Sequence, residues 1–406
     1  GLGDVYKRQG LFGKHNMFHD YLDKYSDNPE GFRDALIRLF KILDQDERER
    51  DPYLSDEILA FPYVNGGLFK NENHVIPRFN EEIIDILLNK AAADFDWSNI
   101  SPTIFGGVFE STLNPETRRS GGMHYTSIEN IHKVIDPLFM NALREEFKEA
   151  ISLKALNAKT RKLEDLQNKI ASLKFLDPAA GSGNFLTETY ISLRKLENEI
   201  LKELLGSQIV MGEIHNPIKV SISQFYGIEI NDFAVSVART ALWIAEAQMM
   251  KETEDIVSMD LDFFPLKTYP NIVEANALRI DWESVVPKYE LDYIMGNPPF
   301  VGAKLTTVDQ RKDKELVFES TKYGKLDYVA CWFRKTYKYI KNTKIEAALV
   351  STNSIVQGEQ VPLLWQELMQ DGLVINFAYR TFKWTSEASN KAAVYCVIVS
   401  LSLIHI

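Results

Sequence analysis

The sequence predicts an α/β fold, a mostly parallel sheet with helices on both faces, preceded by a helical region. Three observations predict it. Short apolar runs at 174–177, 225–230, 291–295, 346–351, 373–379 and 393–399 read as strands. Long helical patterns, such as Phe185–Leu205 and Asp232–Met250, lie between most of them, and strand alternating with helix implies crossover connections and a parallel sheet. The 406 residues are 45% hydrophobic and 25% charged, which is enough apolar material for a large core and excludes a mainly disordered chain.

The elements follow in order. Residues 1–9 (Gly1-Leu2-Gly3-Asp4-Val5-Tyr6-Lys7-Arg8-Gln9) and 401–406 resemble translated adapter sequence and are set aside as scars; the chain is expected to be an internal piece of a longer protein. Residues 10–100 read as helical, with Phe32, Leu36, Leu39, Phe40 and Leu43 forming an apolar stripe suited to a core. Phe61–Phe69 is turn-rich, and 79–92 give a short amphipathic helix. Phe105–Ser127 is rich in glycine. A helix is expected from Ile128 with Ser127 as its N-cap, and a charged helix over about 153–172. The segment Ile209–Gln224 is expected to loop out.

Composition excludes several classes. Two cysteines, Cys331 and Cys396, cannot build a disulfide scaffold, and no Cys/His cluster offers a metal site. No apolar run reaches the roughly 18 residues that span a bilayer, so a cytoplasmic protein is expected. The net charge of -11 argues against a protein that simply coats nucleic acid. From Lys304 to Lys344, however, eleven Lys or Arg face five Asp or Glu, a local surplus of six positive charges.

Two segments concentrate the chemistry. The first, Phe175-Leu176-Asp177-Pro178-Ala179-Ala180-Gly181-Ser182-Gly183-Asn184-Phe185, is a strand, a tight glycine turn and a helix start. Ligands bind outside the carboxyl ends of strands in an open parallel sheet, and glycines let them touch backbone. No GKS or GKT follows, so this is not a P-loop, and Phe185-Leu186 stand where a GxGxxG fingerprint needs glycine. In the second, the strand Leu291–Gly296 runs into Asn297-Pro298-Pro299-Phe300. The prolines stiffen this loop. An exocyclic amine on an aromatic ring is a poor nucleophile, and its two N–H groups must be held so that its lone pair faces the electrophile. The Asn297 side-chain oxygen and the Pro298 carbonyl can each accept one hydrogen, and the Phe300 ring can stack on a base.

The glycine loop resembles that of class I S-adenosylmethionine (SAM) methyltransferases, in the form found in amino-group DNA methyltransferases, with Ala180 where the usual string has Cys. The resemblance implies a Rossmann-like, mostly parallel seven-stranded sheet. It implies cofactor contacts from Asp177, Ala179, Gly181, Gly183, Asn184 and Phe185, and from Glu229 and Ile230, with the acid accepting from both ribose hydroxyls. Asn276 and Ala277 would meet the adenine, a turn cap being the other reading of Asn276. Gly122-Met123-His124-Tyr125-Thr126-Ser127 resembles the segment that closes over the methionine end, which assigns contacts to Tyr125 and Thr126 and leaves His124 structural.

The order of clamp segment, glycine loop, acid and NPPF is that of the gamma group of adenine-N6 DNA methyltransferases. With Phe105–Arg119 and Thr381–Ala388, the chain resembles the MmeI-like, type IIL restriction–modification family over about residues 20–400. That resemblance implies a helical spacer at 10–100, the clamp segment with connecting helices at 101–172, and a methyltransferase domain at 173–400. Its catalytic residues would be Asn297, Pro298, Pro299 and Phe300, its cofactor SAM, with no metal, and its partner double-stranded DNA. A target-recognition domain is expected beyond this segment. The target adenine must flip out of the duplex. Phe382 or Trp384 would lie against it, and Lys304, with Arg311, Lys312, Lys314, Lys322 and Lys325, would track phosphates. The alternatives are a protein-glutamine N5 methyltransferase, which also uses an Asn-Pro-Pro-aromatic loop, and a non-catalytic SAM-binding module.

Overall fold

The structure, a computed structural model, describes residues 16–64, 75–94, 100–106, 126–206, 217–258, 261, 271–384 and 394–403. The chain divides into two compact units, Gly1–Ile100 with Asp260–Tyr269, and Ser101–Met259 with Pro270–Ile406.

The first unit is helical, as expected. It contains α1 (Met17–Asp23), α2 (Pro29–Leu43), α3 (Asp56–Leu59) and α4 (Glu81–Asp85), which widens into a π-helical stretch over Ile86–Asp94. Helix α2 starts where the Asn28 side chain accepts the Gly31 N–H, with Pro29 at a position whose nitrogen needs no partner. Its stripe is core: Phe32, Leu36, Leu39 and Leu43 are buried, and Phe40 is half-buried. Buried Arg50 donates to the carbonyls of Ile42, Gln45, Leu59 and Phe61, tying three connections together.

In the second unit, residues 102–106 are helical, and α5 (Ile128–Ile135), a π-helical turn at Asp136–Met140, α6 (Asn141–Ser152) and α7 (Leu156–Ser172) precede the first strand. Ser127 is the N-cap of α5 by backbone position, but its hydroxyl makes no cap bond. The α/β part follows: β1 (Phe175–Asp177), α8 (Asn184–Gly206), β2 (Phe225–Glu229), α9 (Asp232–Val257), β3 (Asn271–Glu274), β4 (Tyr293–Gly296), α10 (Val308–Phe318), α11 (Ala330–Ile340), β5 (Glu346–Thr352), α12 (Gln366–Gln370), β6 (Leu373–Val374), β7 (Ala378–Trp384) and β8 (Val394–Leu403).

The sheet runs β3-β2-β1-β4-β5-β8-β6, with β7 also paired to β8. The first five strands are parallel, whereas β8 is antiparallel to β5, β6 and β7. Strand residues alternate between two packed faces. On one, Phe175 stacks with Phe225 and Tyr293, Phe139 packs tilted against Phe175, and Tyr190 meets Phe225 edge-on. On the other, Leu176, Ile228 and Ile294 join Trp332, Phe333 and Leu349 in the main core cluster.

Four expectations change. The described residues give eight strands rather than seven, because the run 373–379 splits in two. Asn376 leaves the ladder there and bonds through its side chain to Glu346 and Ser402. Strand β3 has only Ile272 and Val273 as apolar residues, too few to stand out as a run. Residues 401–403, set aside as scar, are the end of β8, with Leu401 fully buried opposite Ala347. Not all of Ile209–Gln224 loops out, since Val220 and Ile222 are buried and the Lys219 and Val220 N–H groups donate to Glu197.

Candidate active site

The motif segments meet at the carboxyl ends of β3, β2, β1 and β4, which are adjacent in that order. Strand order reverses between β1 and β4, the switch point at which open α/β sheets form their crevice.

The glycine loop is pinned from several sides. Asp177 accepts the Ala179 N–H at 2.9 Å, the Ala180 N–H donates to the Ile228 carbonyl at 3.1 Å, and the Trp332 indole N–H holds the Pro178 carbonyl at 3.0 Å. Gly181 and Gly183 have φ of 53° and 81°. At Gly183 the glycine is obligatory twice over, since a Cβ would also lie 2.8 Å from the Ala238 Cβ of α9. Gly296, just before Asn297, plays a different part: a Cβ there would lie 2.4 Å from Asp177 Oδ1, so its absence gives that carboxyl group its place. The Phe185 side chain is buried, which leaves its backbone as the part that can face the crevice. Asn184, also buried, starts α8.

Glu229, at the end of β2, turns back onto this loop. One carboxylate oxygen accepts from the Ile230 and Asn231 N–H groups, and the other from Gly181 at 2.9 Å. Burial pushes its pKa up, and the three N–H groups oppose that shift. Burial also pushes Asp177 up, to about 8, with the Glu229 charge adding to it. Ile230 is 58% exposed, an apolar surface at the crevice mouth. Ala275 N–H donates to the Glu229 carbonyl at 2.8 Å and so brings the end of β3 alongside. Here Asn276 is a cap, its side-chain oxygen accepting the Leu278 N–H at 2.9 Å, while its amide nitrogen donates to Asp313. Ala277 is buried.

At the end of β4, the Asn297 amide nitrogen donates to the Thr126 hydroxyl at 3.2 Å, across 171 positions of sequence. Its oxygen is buried and has no hydrogen-bond partner among the described residues. Buried amide oxygens are nearly always paired, so this one stands ready for a donor. Pro298 is buried, and Pro299 and half-buried Phe300 follow, with Phe300 packed against the main core. The loop beyond is fixed by Tyr328 N–H on the Val301 carbonyl and by Asp327, which accepts from Ala303 N–H and the Ser354 hydroxyl.

Other expected site residues are less concentrated. Tyr125 and His124 lie outside the described residues, as do 107–123. Phe382 is half-buried on β7 opposite Cys396, with the Lys133 ammonium 5.2 Å from its ring centre; Trp384 ends that strand. Lys304 is exposed in the turn Ala303–Leu305. Lys314 cannot track phosphates: it is buried and donates to the carbonyls of Gly324 and Leu326. Sequence reading missed Trp332 and Asp313, whose bonds to Pro178 and Asn276 span 154 and 37 positions and come from helices with no motif around those residues.

Residues 153–405 match the model of the MmeI DNA-methyltransferase domain, and residues 7–69 that of the MmeI helicase spacer domain. The chain belongs to the MmeI DNA-methyltransferase family. It is 43% identical to DNA methyltransferase A of Bacillus subtilis (strain 168), covering 89% of this chain and 40% of that protein. It is 27% identical to a putative type II restriction enzyme and methyltransferase of Methanocaldococcus jannaschii, covering 56% and 22%. The fold superposes on the type IIL restriction-modification enzyme MmeI, solved with DNA, with a TM-score of 0.89, 39% identity and coverage of 99% and 53%. The chain thus spans about half the length of these MmeI-type relatives or less. The MmeI family assignment takes in the glycine loop, Glu229 and the Asn297 corner, and the spacer match falls within the helical first unit.

Proposed function

We propose that the chain transfers a methyl group from S-adenosylmethionine to N6 of an adenine flipped out of double-stranded DNA, as the modification activity of a cytoplasmic restriction–modification system. One observation carries the reading: the Asn297 oxygen is buried, has no hydrogen-bond partner among the described residues, and is oriented by Thr126.

The residues fit the cofactor. The Glu229 oxygen that accepts the Gly181 N–H has a further lone pair, its twin being filled by the Ile230 and Asn231 N–H groups, and that lone pair suits a ribose hydroxyl beside the left-handed glycine turn. Thr126 accepts from Asn297 and keeps its own proton to donate to the methionine carboxylate. When bound, S-adenosylmethionine supplies an electrophilic sulfonium methyl that transfers in a single displacement.

The chain's residues do the rest. Asn297 and the Pro298 carbonyl accept the two amino hydrogens of the base, which turns the nitrogen lone pair towards the methyl carbon. Phe300, seated on the core, stacks on the flipped base for about 1–3 kcal/mol. Phe382 or Trp384 offers the second aromatic face, and exposed Lys304 meets the phosphates. Catalysis is then a matter of positioning. No buried base is needed, since the proton leaves after the nitrogen becomes cationic.

The test is incubation of the chain with DNA and methyl-labelled cofactor, followed by nucleoside analysis. N6-methyldeoxyadenosine is expected. Label in protein, or cofactor binding without transfer, would refute the reading. Asn297→Ala should keep cofactor affinity within about twofold and lower transfer by on the order of a hundredfold or more, as loss of one aligned hydrogen-bonding group does elsewhere.

A further inference from the structure

Resting on the cofactor reading above, we propose that Asp313 is a positioning residue that fixes the Asn276 amide with its oxygen turned towards the amino group of the cofactor's adenine. Asn276 sits at the carboxyl end of β3, one residue after the Ala275 N–H that bonds the Glu229 carbonyl, so it stands beside the acid assigned to the ribose.

An asparagine amide can face a ligand either way round, and its oxygen and nitrogen read opposite chemistry. At Asn276 the choice is made by two neighbours. The Leu278 N–H can only donate and meets the amide oxygen at 2.9 Å. The Asp313 carboxylate can only accept and meets the amide nitrogen at 3.3 Å. Turning the amide over would set oxygen against carboxylate and NH2 against N–H. The amide oxygen keeps one further lone pair, and Asn276 is half-buried, so one side of it is open. That side accepts a donor and repels an acceptor, as recognition of an exocyclic amino group requires.

Asp313 is itself held. It is only 3% exposed, on α10, and accepts from the Arg279 guanidinium at 2.7 Å and the Tyr328 hydroxyl at 2.7 Å. Tyr328 and Asn276 share the same carboxylate oxygen. The helix that follows the NPPF loop thereby sets the polarity of the adenine wall.

The experiment is calorimetric binding of S-adenosylhomocysteine and of its analogue with hydrogen in place of the 6-amino group. The unsubstituted chain should favour the amino compound by about tenfold, the weight of one such hydrogen bond. Asp313→Asn should cut that ratio to about threefold or less, and Asp313→Ser, a second variant in case the first does not fold, should do the same. Tyr328→Phe, which removes the other donor to the same oxygen, should leave the ratio unchanged. An undiminished ratio in both Asp313 variants overturns the inference. So does an equal loss of affinity for both compounds, or a ratio that also collapses in Tyr328→Phe, since either makes the cluster a structural brace. If the unsubstituted chain binds neither compound, the cofactor reading fails and the inference falls with it.

Discussion

Asp177 carries a carboxyl group into the interior, one residue from the glycine loop, and its pKa is raised to about 8. An unfolded aspartate titrates near 3.9. The fold therefore favours the neutral acid: stability is full below about pH 4 and declines as pH rises towards 8. Asp177→Asn should leave urea stability almost unchanged at pH 4 and raise it at pH 9 by on the order of 1–3 kcal/mol, the cost of burying an ill-matched polar group. Equal effects at both pH values would contradict this. At the residue scale, the sequence was legible wherever chemistry is local. Asp177 to Asn184 and Asn297 to Phe300 advertise themselves because adjacent residues build the turn and the corner. The bond between Thr126 and Asn297 was not legible, because 171 positions separate them. The two readings of Asn276, cap and adenine contact, prove compatible in geometry, since the cap uses one lone pair of its oxygen.

Helices α5 and α8 are joined by His132, whose ring nitrogens lie 3.1 Å from Glu188 and 2.9 Å from Asp136. The Glu188 hydrogen bond, reinforced by Asp136, lifts its pKa to about 9. A histidine raised in this way stabilises the fold fully below about pH 6.5, and the contribution fades as pH climbs through 9. His132→Gln should therefore cost about 1–2 kcal/mol at pH 6 and little at pH 10, after allowance for a side chain that is partly exposed. Denaturation at the two pH values checks it; a pH-independent loss would rule out the ion pairs as its cause. Elements with strong periodicity were legible, α2 and α8 above all. Strand β3 and the break between β6 and β7 were not. The first is short and polar at both ends, and the second is made by Asn376 side-chain bonds to residues far along the chain. Helix α9 extends past Met250 to Val257 because Thr253 and Met249 join a buried network around Arg194.

Across the whole molecule, a net charge of -11 coexists with a basic stretch that much of the structure turns inward or pairs. Lys314 is buried, and Lys312, Lys325, Lys338 and Lys341 meet Asp309, Glu359, Glu319 and Asp371. Phosphate contacts should accordingly be few. Lys304→Glu should weaken DNA binding evenly across sequences and reduce the salt dependence by about one charge; an unchanged salt slope would remove Lys304 from the interface. The parallel half of the sheet was readable from alternation of strand and helix, but its antiparallel half was not, because pairing direction leaves no mark on a short apolar run. That half has a consequence for how the chain comes into being. Strand β8 occupies the interior of the sheet, with β5 on one side and β6 and β7 on the other, yet it is made after all of them. Throughout synthesis, β5 must wait with one row of amides and carbonyls bare, an adhesive border open to any passing strand. Every residue assigned to the chemistry emerges before that border is sealed, so the nascent crevice is complete in composition while its scaffold is still half a sheet.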